Sequence, residues 1–410
     1  MPIIYGKLGG ANNAAIGKID TPIKMVIEHE SDLCKKKEYI VKDLFNEEKS
    51  KKFGETILGQ SDFDSFMAVE EGQGAENDNI HETYRKFIEH IQFMKEFTIT
   101  AEMMEDANYG VAADAKRRAE NFTRAYYKTR SKIASLALIN GVNRSATINR
   151  GKVDLTVGDG LSLFHNAHTY HLEKYAGKTQ SNRFYANLQN DSKSDAGKVE
   201  EALSVVSNKI RNFRDENGDP LGYTADTLIV PGNKPFLENA LKRICGSEKL
   251  VASANNDINV QYGNWNIYVL PDWQPTKDIF MVMSSEANKN LAGNMFFNRV
   301  PLTINSWVDN HTGNYIWNGR CRFGIGFGSY KHILLVDVAE WGSIVLDDGL
   351  FLACESSLQQ KAIMRTNVSS AVAGGEGLFN TKVTGPGKVW LQTMPISKLA
   401  EAIIPFIPTS

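Results

Sequence analysis

The sequence predicts an α+β protein, in which a long hairpin and a long helix enclose an inserted α/β domain and a small all-β tail follows. Three observations carry this expectation. Residues 100–140 place apolar or small side chains at steps of three or four over a span few globular helices reach. Residues 62–69 and 87–99 are strand-like runs flanking an acidic, Gly-rich connection. Beyond about residue 339, short strand-like runs alternate with Gly-rich turns.

Composition narrows the function classes. The 410 residues suffice for two or three domains with full cores, and the net charge of −2 lacks the basic excess of a protein whose affinity rests on neutralising phosphates. Any nucleic-acid contact is therefore expected to be local. Cys34, Cys245, Cys321 and Cys354 lie far apart with no C-x-x-C pair, which argues against a disulfide framework or a thiolate zinc site. The stretch MPIIYGKLGGANNAAIG has no apolar core of signal-peptide length, and nowhere do about eighteen apolar residues run together. A cytoplasmic site of synthesis is expected.

The elements are expected in this order. Residues 1–45 carry Gly9, Gly10 and adjacent Asn residues with little periodicity, and read as an extended arm that packs on a neighbour. DFDSFMAV (62–69) and FIEHIQFMKEFTI (87–99) read as a hairpin whose tip is EGQGAENDN (71–79). A two-stranded ribbon is marginal alone in water, so it asks for a partner surface. Phe66, Met67, Val69, Phe87, Ile91, Phe93 and Phe97 are its candidate intersubunit contacts.

Thr100 is a plausible N-cap for a single helix of roughly 38 residues, about 57 Å long, that stops at Asn140-Gly141. Its apolar stripe, Met104, Ala107, Val111, Ala115, Ala119, Phe122, Tyr126, Ile133 and Ala137, contains one gap of seven. Arg117, Arg124, Lys128 and Lys132 share a face and form a basic stripe suited to DNA phosphates or a neighbour's carboxylates; the plainer alternative is a solvated face paired with Asp114 and Glu120. Between 191 and 300, an amphipathic helix, the buried strand TLIVPG, a helix opening at Pro235, and the strands WNIYVLPDW and DIFMVMSS make an inserted α/β domain. FGIGFG contains G-x-G-x-G but opens no helix, so it reads as strand rather than a dinucleotide site.

His165, His168 and His171 in LFHNAHTYH stand three apart, a spacing that can converge on zinc. Glu173 is the only carboxylate within the next dozen residues, however, and a catalytic site needs a general base and a carboxylate shell. A structural loop is the favoured reading, with a metal-dependent enzyme as the alternative from another class. No catalytic, cofactor or metal residues are assigned.

The segment order, with LFHNAHTYH, TADTLIVPGNKPFLENALKRI and RCRFGIGFGSYKHI, resembles the major capsid proteins of tailed bacteriophages over residues of about 1–337. The resemblance implies the Hong Kong 97-type fold: an N-terminal arm (1–45), an extended loop hairpin (46–100), a peripheral domain with its spine helix (101–190), an axial domain (191–300) and returning peripheral strands (301–337). GGEGLF and GPGKVWLQT in the tail (338–410) resemble the C-terminal part of the altered-inheritance-of-mitochondria type β-protein family, and no activity transfers with that fragment.

The function implied is a shell subunit. It would self-assemble as hexamers and pentamers into an icosahedral phage or prophage head around double-stranded DNA, in the bacterial cytoplasm, with separate scaffold, portal and decoration proteins. An encapsulin-like compartment is the alternative within the fold. No cofactor and no membrane are expected.

Overall fold

The computed structural model describes residues 4–5, 13–61, 63, 66–74, 77–105, 110–170, 177–190, 193–249 and 258–338. Within the tail it describes 343–346, 351–354, 359–364, 379–384 and 389–391. The fold is α+β. Strand β1 (Ile4–Tyr5) precedes helices α1 (Asn13–Lys37) and α2 (Tyr39–Leu44), followed by β2 (Asn46–Lys49), β3 (Gly54–Gln60), β4 (Glu82–Glu89) and β5 (Ile91–Ile99). Helices α3 (Ala101–Glu105) and α4 (Gly110–Ile139) lead into the short pairs β6 (Ser145–Ile148) with β7 (Gly151–Asp154) and β8 (His168–Thr169) with β9 (Thr179–Gln180).

The chain continues through β10 (Arg183–Ala186), β11 (Gln189–Asn190), β12 (Lys193–Ser194), α5 (Ala196–Arg211), β13 (Thr227–Pro231), α6 (Pro235–Gly246), β14 (Asn266–Leu270), β15 (Phe280–Met283) and α7 (Ser285–Asn290). Two long strands, β16 (Asn294–Val308) and β17 (Tyr315–Phe327), come before β18 (Ile333–Val338). The tail contributes β19 (Ser343–Leu346), β20 (Phe351–Cys354), β21 (Gln359–Met364), β22 (Phe379–Thr384) and β23 (Val389–Leu391).

Two sheets organise the first of two compact units, which comprises Met1–Phe184 and Leu188–Asp337. One has the order β1-β16-β17-β5, with β2 also paired to β16. Helices α1 and α4 lie on it through Ile23, Ile27, Ala115, Ala119 and Phe122, which meet Ile99, Leu302, Ile304 and Trp317. Phe97 stacks on Trp317 at 5.2 Å between ring centroids, nearly parallel, and burying such rings is among the larger apolar contributions a core can make.

The other sheet has the order β10-β18-β15-β13-β14, and every residue of TLIVP in β13 is buried. Helix α5 presents Val199, Ala202, Leu203, Val206 and Ile210 to the interior, and its N-cap Asp195 accepts from the Lys198 amide at 3.1 Å. Pro235 opens α6, where its missing N–H costs nothing. The second unit holds Tyr185–Asn187 and Val338–Ser410; its described strands form a β19-β22-β21 sheet and a β20-β23 pair. Among the described residues no helix is long and apolar enough to cross a membrane.

Several expectations change. Within 1–45, residues 13–37 and 39–44 are helical rather than extended: Ile23, Val26 and Ile27, then Ile40, Val41 and Leu44, recur at helical spacing and pack inward. The hairpin's first strand is β3, not 62–69; Phe63 and 66–69 carry no strand. GETILGQ was overlooked because its inward positions are Gly54, Ile57 and Gly59, too small a hydrophobic signal for alternation to stand out.

The run 87–99 breaks at His90, whose Nδ1 donates to the Phe53 carbonyl at 2.7 Å, so β4 pairs with β3 while β5 pairs with β17. The 38-residue helix is described as α3 and α4, with 106–109 outside the described residues. Thr100 does cap α3, accepting from the Met103 amide. The 300 boundary falls inside β16, and β18 returns to the α/β sheet by pairing with β15 rather than to the sheet of β16 and β17. Its ILLV run is buried throughout, as a central strand covered on both faces requires.

Candidate assembly surface

The ribbon β3–β4 is anchored at its root. Ile57 and Ile88 pack on Met295 and Phe297. A Cβ at Gly326 would sit 2.7 Å from Ile88 Cδ1, so FGIGFG is strand whose glycines let the ribbon lie close on β17. Lys86, buried along its length, reaches Asp154 Oδ2 and Thr156 Oγ1, each at 2.5 Å. Tyr84 packs against Gly158 so closely that a Cβ there would lie 2.3 Å from its ring.

Exposed apolar side chains flank an acidic, polar tip along the ribbon. Phe66 is fully exposed, and Met67, Val69 and Phe87 are exposed, as are Phe53, Leu58, Phe63 and Ile80. Of the seven predicted contact residues, these four face solvent; Ile91, Phe93 and Phe97 are half-buried on β5, where Phe93 stacks on Phe323 at 4.8 Å and Phe97 on Trp317. The structure thus divides the set: Phe66, Met67 and Val69 are exposed, Phe87 is exposed yet stacks on Phe53 at 6.4 Å between ring centroids, and Ile91, Phe93 and Phe97 are half-buried within their own chain.

The basic stripe divides similarly. Arg117 pairs with Asp114 at 2.7 Å, while Arg124 reaches Glu30 of α1 at 2.6 Å and Glu120 at 3.8 Å. The hydrogen bond from Arg124 holds the Glu30 carboxyl below its usual range. Lys128 is exposed and Lys132 half-buried.

A different residue of α4, Arg130, has the densest polar surroundings. Its side chain is only 5 % exposed; Nε bonds Glu38 at 2.7 Å, and the terminal nitrogens bond Glu47 and Asn298 at 2.8 Å each. The guanidinium carbon stands 4.8 Å from the Phe296 ring centroid. Burial works against its charge, but Tyr126, Glu38 and Glu47 outweigh burial and hold the guanidinium above its ordinary value. Burial also pushes Glu38 up against the pull of Arg130. Sequence reasoning missed this cluster although a signal existed: Arg130 fills the gap of seven between Tyr126 and Ile133 in the apolar stripe.

The histidine run resolves into a hydrogen-bonded loop. His168 is fully buried and stacked on Tyr330 at 3.7 Å; Nδ1 lies 2.7 Å from Asp159 Oδ2 and Nε2 3.2 Å from Asn182 Oδ1. Both ring nitrogens therefore lie within hydrogen-bond distance of protein oxygens. His165 accepts from the Ala167 amide through Nδ1, and His171 lies outside the described residues.

The phage capsid protein family model matches residues 92–336, well over half of the chain. The chain belongs to the phage capsid protein family. Its matched span runs from β5 through the inserted α/β sheet to β18 and contains His168, Arg130 and FGIGFG.

Among solved structures, the capsid of Cyanophage P-SCSP1u is similar at 11 % identity and a TM-score of 0.44, covering 73 % of this chain and 88 % of that one. Mycobacterium phage Patience gives 15 %, 0.43, 82 % and 93 %. The capsid of a native GTA particle gives 10 %, 0.44, 74 % and 91 %. No curated protein matches significantly. The model described as mitochondrial biogenesis AIM24 matches residues 279–399. That match includes most of the tail, as expected, but also reaches back over β15 to β18, which this chain builds into its two main sheets.

Proposed function

We propose that this protein is a major capsid protein of the Hong Kong 97 type, a structural subunit whose copies close into the icosahedral head of a tailed phage or prophage. The single observation that supports this reading best, beside the family, is the ribbon: an anchored root and, beyond it, the exposed apolar side chains Phe63, Phe66, Met67, Val69 and Ile80. Such a surface is costly in water and is suited to lying across a second copy. Individually modest contacts then become a stable shell through closed symmetry and many copies.

In this reading hexamers and pentamers form in the bacterial cytoplasm and enclose double-stranded DNA without sequence specificity. Scaffold, portal and decoration proteins act beside them. Phe66, Met67, Val69 and Phe87 carry the intersubunit contact, and Arg117, Arg124, Lys128 and Lys132 face DNA or a neighbour's carboxylates.

The test uses a natural crossing point. The Ser61 amide donates to the His81 carbonyl at 2.9 Å, so residues 62–80 can be replaced by a tight turn while β3 and β4 keep their pairing. The shortened subunit is expected to retain its thermal melt and to yield no closed shells in negative-stain images. Normal, heat-stable particles would overturn the proposal.

A further inference from the structure

We infer that the outward edge of β5 and the groove between β5 and α4 are the seat, on a second copy, for the ribbon run 66–69, which adds to β5 as a strand with Phe66 as its anchor. This names the surface that receives the ribbon, and it rests on the capsid reading only for the identity of the partner.

The backbone of β5 fixes which groups are offered. Its pairing with β17 runs in unbroken register from Ile91 beside Phe323 to Ile99 beside Tyr315. The Thr98 carbonyl turns away from β17 and accepts from Arg118 Nη1 of α4 at 2.9 Å. In an antiparallel ladder without a bulge, successive residues alternate between facing the partner strand and facing away from it, so the N–H and C=O groups of Gln92, Met94 and Glu96 point the same way as that carbonyl. All three residues are exposed, Met94 to 56 %. A row of outward N–H and C=O groups is what an extended segment of another chain pairs with.

Along that edge lies a groove of about 350 Å³, lined by Phe93 and Met94 of β5, Phe122, Ala125 and Thr129 of α4, and Cys321 of β17. An apolar cavity of about 150 Å³ already admits benzene, so a phenyl ring fits with room for the backbone beside it. In a strand laid along β5, alternate side chains point to opposite faces. Turning Phe66 into the groove puts Ala68, small enough to pass α4, on the same face. Met67 and Val69 then lie on the face opposite Phe93, where Met94 is exposed.

Shape and charge select the ribbon as the occupant. Residues 66–69 form no strand within their own chain, although their apolar character is that of one, and Phe66 is fully exposed. Residues 62–79 carry six carboxylates, Asp62, Asp64, Glu70, Glu71, Glu76 and Asp78, and no Lys or Arg. The groove answers with cations. Lys95 is part of its lining, and Lys128 and Lys132 stand three residues on from the lining residues Ala125 and Thr129, on the adjoining surface of α4. Glu96, the one carboxylate within β5, accepts from Asn318 at 3.4 Å. An apolar anchor between acidic flanks therefore meets an apolar groove with a basic rim, which also assigns Lys128 and Lys132 to a neighbour's carboxylates rather than to DNA.

The experiment reads unassembled full-length subunits, so it does not depend on whether shells form. A synthetic peptide of residues 62–71, with a photoreactive benzophenone side chain in place of Phe66, is irradiated with the subunits and the crosslinks are mapped by mass spectrometry. Labelling is expected in 92–95 and 122–129, competed by the unmodified peptide and weakened by raised salt. Ala125→Trp fills the groove, and Met94→Pro removes an N–H that faces away from β17 and so spares the ladder. Each should cut labelling at least about tenfold, the scale of losing an anchor contact, while the subunit keeps its thermal melt. Lys95→Glu with Lys128→Glu should also cut it. Labelling centred elsewhere, equal labelling by a scrambled peptide of the same composition, or unchanged labelling of the folded blocked variants would overturn the inference. Failure of normal subunits to form shells would instead count against the capsid reading.

Discussion

Arg130 joins the junction of α1 and α2 through Glu38, the nearby start of β2 through Glu47, and the distant β16 through Asn298. A buried ion cluster is weak evidence of net stability, but removing Arg130 is costly because the buried Glu38 is left without its counter-charge, whereas Glu47 is exposed to water. Arg130→Met should therefore lower subunit stability by about 3–5 kcal/mol in urea unfolding. Adding Glu38→Gln and Glu47→Gln to that variant should recover part of the loss. A single substitution without effect would show that these carboxylates rehydrate freely. Legibility at this scale was uneven. The apolar positions Phe122, Ile133 and Ala137 of α4 were readable from spacing, whereas Arg130 was passed over because a charged residue on an apolar stripe looks like an interruption until its partners are known. The histidines were visible as a group, but Asp159 and Asn182, which decide what His168 does, lie 9 and 14 residues from it, and no local spacing announces them.

Among the elements, α4 and the ribbon carry opposite kinds of surface. The face of α4 that bears Arg117, Arg124, Lys128 and Lys132 carries the Arg117–Asp114 and Arg124–Glu120 pairs, of a kind worth about 0.3–0.5 kcal/mol each when exposed on a helix, and the contact from Arg124 to the buried Glu30 of α1. Replacing all four with Gln should leave the melt of unassembled subunits within a few degrees, yet reduce DNA retention or shell yield. A large fall in subunit melting temperature would assign the stripe to folding, chiefly through the Arg124–Glu30 contact between α4 and α1. The helix and the strand TLIVP were legible because each satisfies its period without help from distant residues. The ribbon was half legible. Its exposed phenylalanines drew attention to 62–69, while β3, the strand that forms, owes its place to Gly54 and Gly59 fitting under Phe87 and Tyr84, a property of partners rather than of pattern.

For the whole molecule, the two units suggest a division of labour. The unit that ends at Asp337 contains both main sheets, whereas the tail has its own short strands. Truncation after Val338, which preserves all of β18 and its pairing with β15, should leave shell assembly intact and remove only a surface feature. Microscopy of full-length and truncated particles checks this, and loss of all assembly would make the tail integral to the shell. The pairing of β16 and β17 with β2 and β5 has a further consequence, one of timing. Met295 lies beside Asn46 and Phe323 beside Ile91, so strands made early wait for partners more than 200 residues downstream. Closing so long a loop is slow, and during that delay β5 has an unpaired edge and the ribbon root has nothing to rest on. A nascent subunit therefore acquires its adhesive ribbon before it acquires the body that aims it, and a chaperone that shields residues 46–99 until β17 has emerged from the ribosome would keep the growing chain from sticking to others.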